Sequence, residues 1–210
     1  HTPQCGECGS NLKLTMLRCR QHGHHQRTAN AWILGVTVVV FAAMVAAVPS
    51  LYLLPAYLWF VLFAVLLTVT DMDTQLIPNR ILGPATVGGL ILIVPGALLA
   101  GESSGLLWAL AGGVVYFLVM FVLALVARGA LGFGDVKLAF FLGVFTGYLG
   151  WGYALLAGVG AFLLGGIISL LLLVTRIKGR KDAIPFGPFM TSAAILAVVF
   201  GDAFIAWYTR

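Results

Sequence analysis

The sequence predicts an all-α protein, a polytopic transmembrane helical bundle of about seven spans. Apolar residues make up 61% of the 210 residues and charged residues only 9%, which is too little polar surface for a water-soluble fold. The apolar residues fall into seven runs, most of them near the roughly 20 residues that a helix needs to cross a bilayer. Lys and Arg gather in short clusters between these runs, a pattern that orients membrane proteins and does not indicate nucleic-acid binding.

The predicted elements are a polar N-terminal segment followed by seven helices. The apolar runs that define the helices cover residues 31–48, 51–70, 81–100, 104–127, 136–150, 151–175 and 185–207. Backbone groups in lipid must find partners inside their own segment, so each run is expected to be a helix rather than an open strand. We therefore expect two domains, a cytosolic segment over residues 1–29 and a transmembrane domain over residues 30–210.

The basic residues predict how these helices are oriented. If the N-terminal segment lies in the cytosol and each helix reverses direction, one side of the membrane receives Lys13, Arg18, Arg20, Arg27, Arg80, Arg128, Lys137, Arg176, Lys178, Arg180 and Lys181. The opposite side receives only Arg210. Cytosolic loops of membrane proteins carry such an excess of positive charge. The same orientation puts Asp71, Asp73, Asp135 and Asp182 at the cytosolic face.

The first acidic cluster, Asp71-Met72-Asp73, ends the second helix and precedes a turn at Ile77-Pro78-Asn79. A carboxylate at a helix C-terminus meets the negative end of the helix dipole, which destabilises the helix by about 0.3–1 kcal/mol. We therefore expect these acids to serve a purpose other than helix stability. On a helix the two acids point about 200° apart, and only one of them faces a given partner. The alternative is a solvated loop with two ordinary surface acids.

The second cluster is Gly-Phe-Gly-Asp-Val-Lys-Leu over residues 132–138, and it opens the fifth helix. Glycines on both sides of Phe133 leave room for another segment to approach closely. The alternative is that Asp135 simply caps this helix by binding its first free amides.

The third cluster, Pro185-Phe186-Gly187-Pro188, lies directly before the seventh helix. Two prolines make a stiff, irregular segment at the membrane edge, where non-helical backbone is tolerated beside a cavity or a protein surface. The alternative is a plain helix start, since Pro is favoured in the first turn.

Two aspartates on one side of a helical bundle suit the hydrolysis of peptides. One carboxylate activates water while the other carboxyl protonates or polarises the scissile carbonyl. Two carboxyl groups in one site of low dielectric do not readily both ionise, which gives an acid and a base from the same residue type. A serine or cysteine hydrolase is poorly supported, since the apolar runs contain no His and no Gly-x-Ser-x-Gly motif occurs.

Taken together, the three clusters resemble the bacterial prepilin peptidases (type IV leader peptidases), intramembrane aspartic proteases with a GxGD motif. The likeness covers roughly residues 50–200, with the clusters in the family's order. It implies catalytic roles for Asp71 and Asp135, and the spacing to Ile77-Pro78 selects Asp71 over Asp73. The implied substrates are prepilins or pseudopilins, which carry a short basic leader followed by a hydrophobic helix. The implied location is the bacterial cytoplasmic (inner) membrane, with the active site facing the cytosol.

The cysteines bear on possible cofactors. Many members of this family also methylate the new N-terminus with S-adenosylmethionine and carry two well-separated Cys-x-x-Cys pairs in a cytosolic loop. Here Cys5 and Cys8 form one such pair, while Cys19 and His22 stand much closer than usual, so methyltransferase activity does not follow from the resemblance. Cys5, Cys8, Cys19 and His22 form a permissible tetrahedral zinc set, with His24 or His25 as the other candidates for the fourth ligand. Reduced surface thiols are the alternative to a zinc site.

Two other classes of function also fit a bundle of this kind. A transporter or proton-conducting protein uses acids within the membrane, although the acids here gather at one mouth and the outer half carries only Asp202. A non-catalytic assembly protein predicts that both Asp71 and Asp135 are replaceable.

Overall fold

The computed structural model describes residues 27–48, 50–127, 131–175 and 184–209. Every regular element within these ranges is a helix, which confirms the all-α fold class. The seven helices are α1 (Arg27–Ala47), α2 (Leu54–Thr74), α3 (Asn79–Ala100), α4 (Ser104–Val126), α5 (Phe133–Leu149), α6 (Trp151–Val174) and α7 (Gly187–Tyr208). Each predicted apolar run coincides with one helix, so the sequence placed the elements correctly.

Five of these helices, α2, α3, α4, α6 and α7, are long and apolar enough to cross a membrane. The apolar part of α1, Leu34–Ala47, is shorter, and α5 has only 17 residues. The chain is therefore a multi-pass membrane protein with a polytopic helical bundle. By internal packing it divides into two compact units, His1–Val39 and Val40–Arg210, and the features described below belong to the second unit.

Helix α5 is the central helix of the second unit. Twelve of its 17 residues are buried, and it packs against α3, α4, α6 and α7. Its closest approach is to α4, where a methyl group added to Gly143 would lie 2.5 Å from the carbonyl oxygen of Gly112. Small residues at such a crossing let the two backbones touch, which is how helices pack in membranes without a hydrophobic driving force.

Helix α2 is held against α5 and α3 by aromatic side chains. The Tyr57 hydroxyl donates to the Phe145 carbonyl at 2.9 Å, and the rings of Phe60 and Phe145 lie 4.8 Å apart between centroids. The Trp59 indole N–H donates to the carbonyl of Ala85 on α3, also at 2.9 Å. These contacts fix the α2 axis relative to the central helix.

The bundle brings the last turn of α2 and the first turns of α3, α5 and α7 to one end. The backbone N–H of Gly187 at the start of α7 reaches the Asp71 carboxyl near the end of α2. The Lys137 amine on α5 reaches Asn79, the first residue of α3. The three clusters that the sequence singled out therefore meet at the same end of the molecule.

Candidate active site

Asp71 lies in the last turn of α2 and is buried, with 4% of its surface exposed. Its Oδ2 accepts a hydrogen bond from the backbone N–H of Gly187 at 3.1 Å. Gly187 is the first residue of α7, so the carboxyl sits against the positive end of that helix dipole. This contact offsets the unfavourable position that Asp71 occupies at the C-terminal end of its own helix.

Asp73, two residues further along α2, is exposed to solvent. The helix continues to Thr74 and ends at Gln75, which adopts a left-handed conformation. Asp71 and Asp73 therefore both lie within the helix, and their side chains point in different directions, as the two-residue spacing predicts. Only Asp71 faces the interior of the bundle.

Asp135 lies in the first turn of α5 and is also buried, with 9% of its surface exposed. Its carboxyl interacts with the backbone N–H of Gly132, the amide that a side chain at this helix position normally caps. Capping of the helix thus accounts for the interaction between Asp135 and Gly132. It does not account for the electrostatic interaction between the carboxyl groups of Asp135 and Asp71.

The glycines of the second cluster allow the turn after α2 to approach α5. A methyl group on Gly134 would lie 3.0 Å from Cβ of Ile77, closer than side chains normally pack. Beside this contact, the Lys137 amine donates to Asn79 Oδ1 at 3.0 Å and lies 5.0 Å from the centre of the Phe133 ring. The first and second clusters therefore form one packed unit.

Two threonines connect α2 to α7 one turn away from Asp71. The hydroxyls of Thr68 and Thr191 are 2.6 Å apart, and the Thr191 hydroxyl also lies 3.1 Å from the carbonyl oxygen of Gly187. The same glycine thus bonds Asp71 through its N–H and Thr191 through its carbonyl. Sequence reasoning missed both threonines; the only signal was that Thr68 is a hydroxyl residue one turn before the acid in a mostly apolar helix.

Tyr116, midway along α4, is a second residue that sequence reasoning missed. Its hydroxyl is buried and has no hydrogen-bond partner among the residues that the structure describes. The side chain interacts electrostatically with Asp135. A lone tyrosine in the middle of an apolar run was the signal that could have found it.

This arrangement can support acid–base chemistry on an amide. Two buried carboxyl groups come from different helices; the backbone N–H of Gly187 orients that of Asp71, and that of Asp135 lies beside Gly132. Like charges in such a site favour the state in which one group is ionised and the other protonated. That state supplies both the base and the acid that peptide hydrolysis requires.

The predicted zinc ligands Cys5, Cys8, Cys19 and His22 lie outside the described residues, so the zinc site stays a prediction. Within the described ranges, no group of three or more His, Cys, Asp and Glu side chains comes together to hold a metal.

S-Adenosylmethionine would need a site for its nucleoside. The glycine segment that opens α5 offers no open cradle at Gly134, because Ile77 lies against that glycine.

Sequence comparison identifies the family. A model of the type IV leader peptidase family matches residues 58–170, more than half of the chain. The matched stretch contains Asp71, the Ile77-Pro78-Asn79 turn and Asp135, whereas Gly187 lies beyond it. No solved structure gives a significant match to the chain.

Several similar proteins carry the name "Prepilin leader peptidase/N-methyltransferase". The one from Bacillus subtilis (strain 168) is 30% identical over 197 residues, which cover 92% of this chain and 75% of that protein. The one from Pseudomonas putida is 29% identical over 97% of this chain and 73% of its own length. For Aeromonas salmonicida (strain A449) the identity is 29%, over 81% of this chain and 60% of the relative, so the chain spans well under the full length of that protein. On the match of the family model and the extent of these similarities, the chain belongs to the type IV leader peptidase family.

Proposed function

We propose that this protein is an intramembrane aspartic endopeptidase that removes the leader peptide of type IV prepilins or pseudopilins. The observation that carries the proposal is the pairing of two buried carboxyl groups, Asp71 from α2 and Asp135 from α5, at one end of the bundle. Membership of the type IV leader peptidase family supports the same substrate class.

In the proposed reaction, one carboxylate removes a proton from water as the water oxygen bonds to the carbonyl carbon of the scissile amide. The other carboxyl gives its proton to the carbonyl oxygen, which forms a tetrahedral intermediate. When the intermediate collapses, the C–N bond breaks and the departing nitrogen takes the proton that the first carboxylate removed from water. One hydroxyl of the intermediate returns its proton to the second carboxylate, which restores both aspartates. The products are a leader with a free carboxylate and a mature chain with a free amine.

Cleavage is proposed to occur on the cytosolic side of the membrane. We place the protein in the bacterial inner membrane with Asp71 and Asp135 towards the cytosol, because the basic residues of the chain gather on that side. A substrate with a basic leader keeps that leader on the cytosolic side for the same reason. The scissile amide, between the leader and the apolar helix, then reaches the aspartates from the membrane surface.

Methylation of the new amine is the second activity in the names of the relatives. The proposal made here rests on the peptidase step alone. Adding S-adenosylmethionine to a cleavage reaction tests methyl transfer directly, because a methylated product gains the mass of one methyl group.

The experiment is cleavage of a purified prepilin by the purified full chain in detergent, followed by mass spectrometry of both products. Asp71→Asn and Asp135→Asn remove a titratable group while keeping the shape of the side chain. Each variant is expected to lose cleavage, since neither acid can replace the other. Asp73→Asn is the matched control, because Asp73 lies on the same helix turn but is exposed, and it is expected to retain cleavage.

Full turnover by either single variant would overturn the two-carboxylate assignment. Equal inactivation by Asp73→Asn would mean that the wrong member of the first cluster was chosen. Proton or solute flux in liposomes that depends on Asp202 and not on Asp71 would favour a transporter instead.

A further inference from the structure

A groove on the side of the bundle has no role in the proposed cleavage. It encloses about 690 Å³ between α3, α4 and α5, within the range of roughly 300–1,000 Å³ that is typical of small-molecule sites. Its walls are formed by Leu82, Val114, Phe117, Leu118 and Phe140. Asp71 and Asp135 are not part of its lining.

The mouth of the groove is polar, unlike its walls. Asn79 and Lys137 line it there, and the Lys137 amine donates one hydrogen bond to Asn79 Oδ1 at 3.0 Å. An ammonium group carries three donors, so two remain for another partner. No carboxylate among the described residues lies within ion-pair distance of Lys137; its other contact is the face of the Phe133 ring.

The shape and polarity of the groove determine which kind of molecule it can bind. Asn79 is the first residue of α3, and Thr86, which also lines the groove, lies about 10 Å further along the helix axis. The polar mouth therefore stands at the end of the membrane-spanning helices and the apolar part runs towards their middle. A molecule that fits carries an anion at the membrane surface and an apolar chain directed into the bilayer.

We propose that this groove binds an anionic phospholipid, with its phosphate on Lys137 and an acyl chain against Leu82, Val114 and Leu118. Charge complementarity selects this occupant, because the mouth holds a cation without a counter-ion in the described part of the chain. The same cation disfavours a basic peptide segment. An anionic lipid has both a negatively charged head group and an apolar chain, and it is present in the bilayer around the helices.

The test measures lipid binding to the purified full chain in a neutral detergent by native mass spectrometry. The probes are phosphatidylglycerol, which is anionic, and phosphatidylcholine with the same acyl chains, which has no net charge. The wild-type protein is expected to bind the anionic lipid about tenfold more tightly, because the trimethylammonium group of phosphatidylcholine, next to the same phosphate, is repelled by the Lys137 ammonium. Inorganic phosphate should not displace it, since phosphate lacks the apolar chain.

Three variants locate the site. Lys137→Gln is expected to abolish the preference for phosphatidylglycerol. Arg80→Gln is the matched control, since Arg80 is an exposed cation next to Asn79 that does not line the groove, and it should keep the preference. Leu118→Trp narrows the apolar part and is expected to weaken binding of both lipids.

Several results would overturn the proposal. If Arg80→Gln lowers the preference as much as Lys137→Gln, the attraction is that of a general surface charge. An unchanged preference in Lys137→Gln would place the lipid elsewhere. If a prepilin displaces phosphatidylglycerol mole for mole, the groove binds the substrate and not a lipid. None of these results depends on whether the protein cleaves prepilins.

Discussion

Asp71 Oδ2 lies 3.1 Å from the backbone nitrogen of Gly187, a residue 116 positions later in the chain. A methyl group on Gly187 would stand 2.6 Å from the same oxygen, so only glycine lets α7 begin this close to the carboxyl. The third cluster, Pro185-Phe186-Gly187-Pro188, therefore holds the Asp71 side chain of the first cluster in place through a backbone amide.

Gly187→Ala is expected to reduce cleavage. The added methyl group pushes the Asp71 carboxyl away from the amide, and loss of a hydrogen bond to a charged group corresponds to roughly 10–100-fold in kcat. The measurement is steady-state cleavage of prepilin. Gly166→Ala serves as the control because nothing lies within 4 Å of the added methyl group, and its rate should match the wild type. Full activity in Gly187→Ala would mean that Asp71 does not need this contact.

Thr191→Val is expected to lower kcat by about 2–10-fold with little change in KM. The Thr191 hydroxyl bonds both Thr68 and the Gly187 carbonyl, so its loss loosens the glycine that positions Asp71. Because Thr191 is buried and acts through Gly187, binding of the substrate should be largely unaffected. Thr191→Ser restores the hydroxyl and should restore the rate. A serine variant as slow as the valine variant would indicate a packing role instead.

The rate of cleavage is expected to show a bell-shaped dependence on pH. The reaction needs one carboxyl ionised as base and the other protonated as acid. Acid below the optimum protonates both groups and removes the base; alkali above it ionises both groups and removes the acid. The measurement is kcat/KM across the pH range in which the protein stays folded. A rate that rises to a plateau and stays there would contradict the need for a protonated carboxyl.

Gly143→Ala is expected to destabilise the bundle by about 1–3 kcal/mol, the usual cost of overpacking. The new methyl group would lie 2.5 Å from the Gly112 carbonyl oxygen and 2.9 Å from Cα of Gly113, and backbone atoms cannot move aside as side chains do. Thermal unfolding in detergent reports the effect as a lower Tm. Gly166→Ala should leave the Tm equal or slightly higher, since alanine is the better helix former. An unchanged Tm in Gly143→Ala would show that α4 and α5 are less closely packed.

Most of the fold could be predicted because apolar runs of membrane length have few alternatives to the helix. Every run from residue 31 to residue 207 corresponds to one helix, and the ends differ by at most four residues. That only one of Asp71 and Asp73 is buried also follows from local geometry, since two residues at this spacing on a helix face different ways. The selection of Asp71 as the inward one came from the family resemblance.

The partners of the acids could not be predicted, because they are far apart in the sequence. Thr68 and Thr191 are separated by 123 residues, and no periodicity within either helix points to the other. The same holds for the Gly187 amide, which carries no side chain to draw attention to it. Sequence reasoning recognised the third cluster as an irregular segment at the membrane edge but not as the hydrogen-bond donor to Asp71.

The shortness of α5 has a consequence for hydration. With 17 residues it is about 26 Å long, whereas α4 and α6, with 23 and 24 residues, reach about 35 Å. A helix shorter than the roughly 30 Å hydrocarbon layer would normally thin the bilayer, but α5 is shielded from lipid on most sides by its neighbours. Its first turn lies beside the start of α3, where the Lys137 amine bonds Asn79, and Asp135 is buried there. Hydrolysis consumes a water molecule, so water has to enter between these helix ends to reach Asp135 while the surrounding helices keep the acyl chains out.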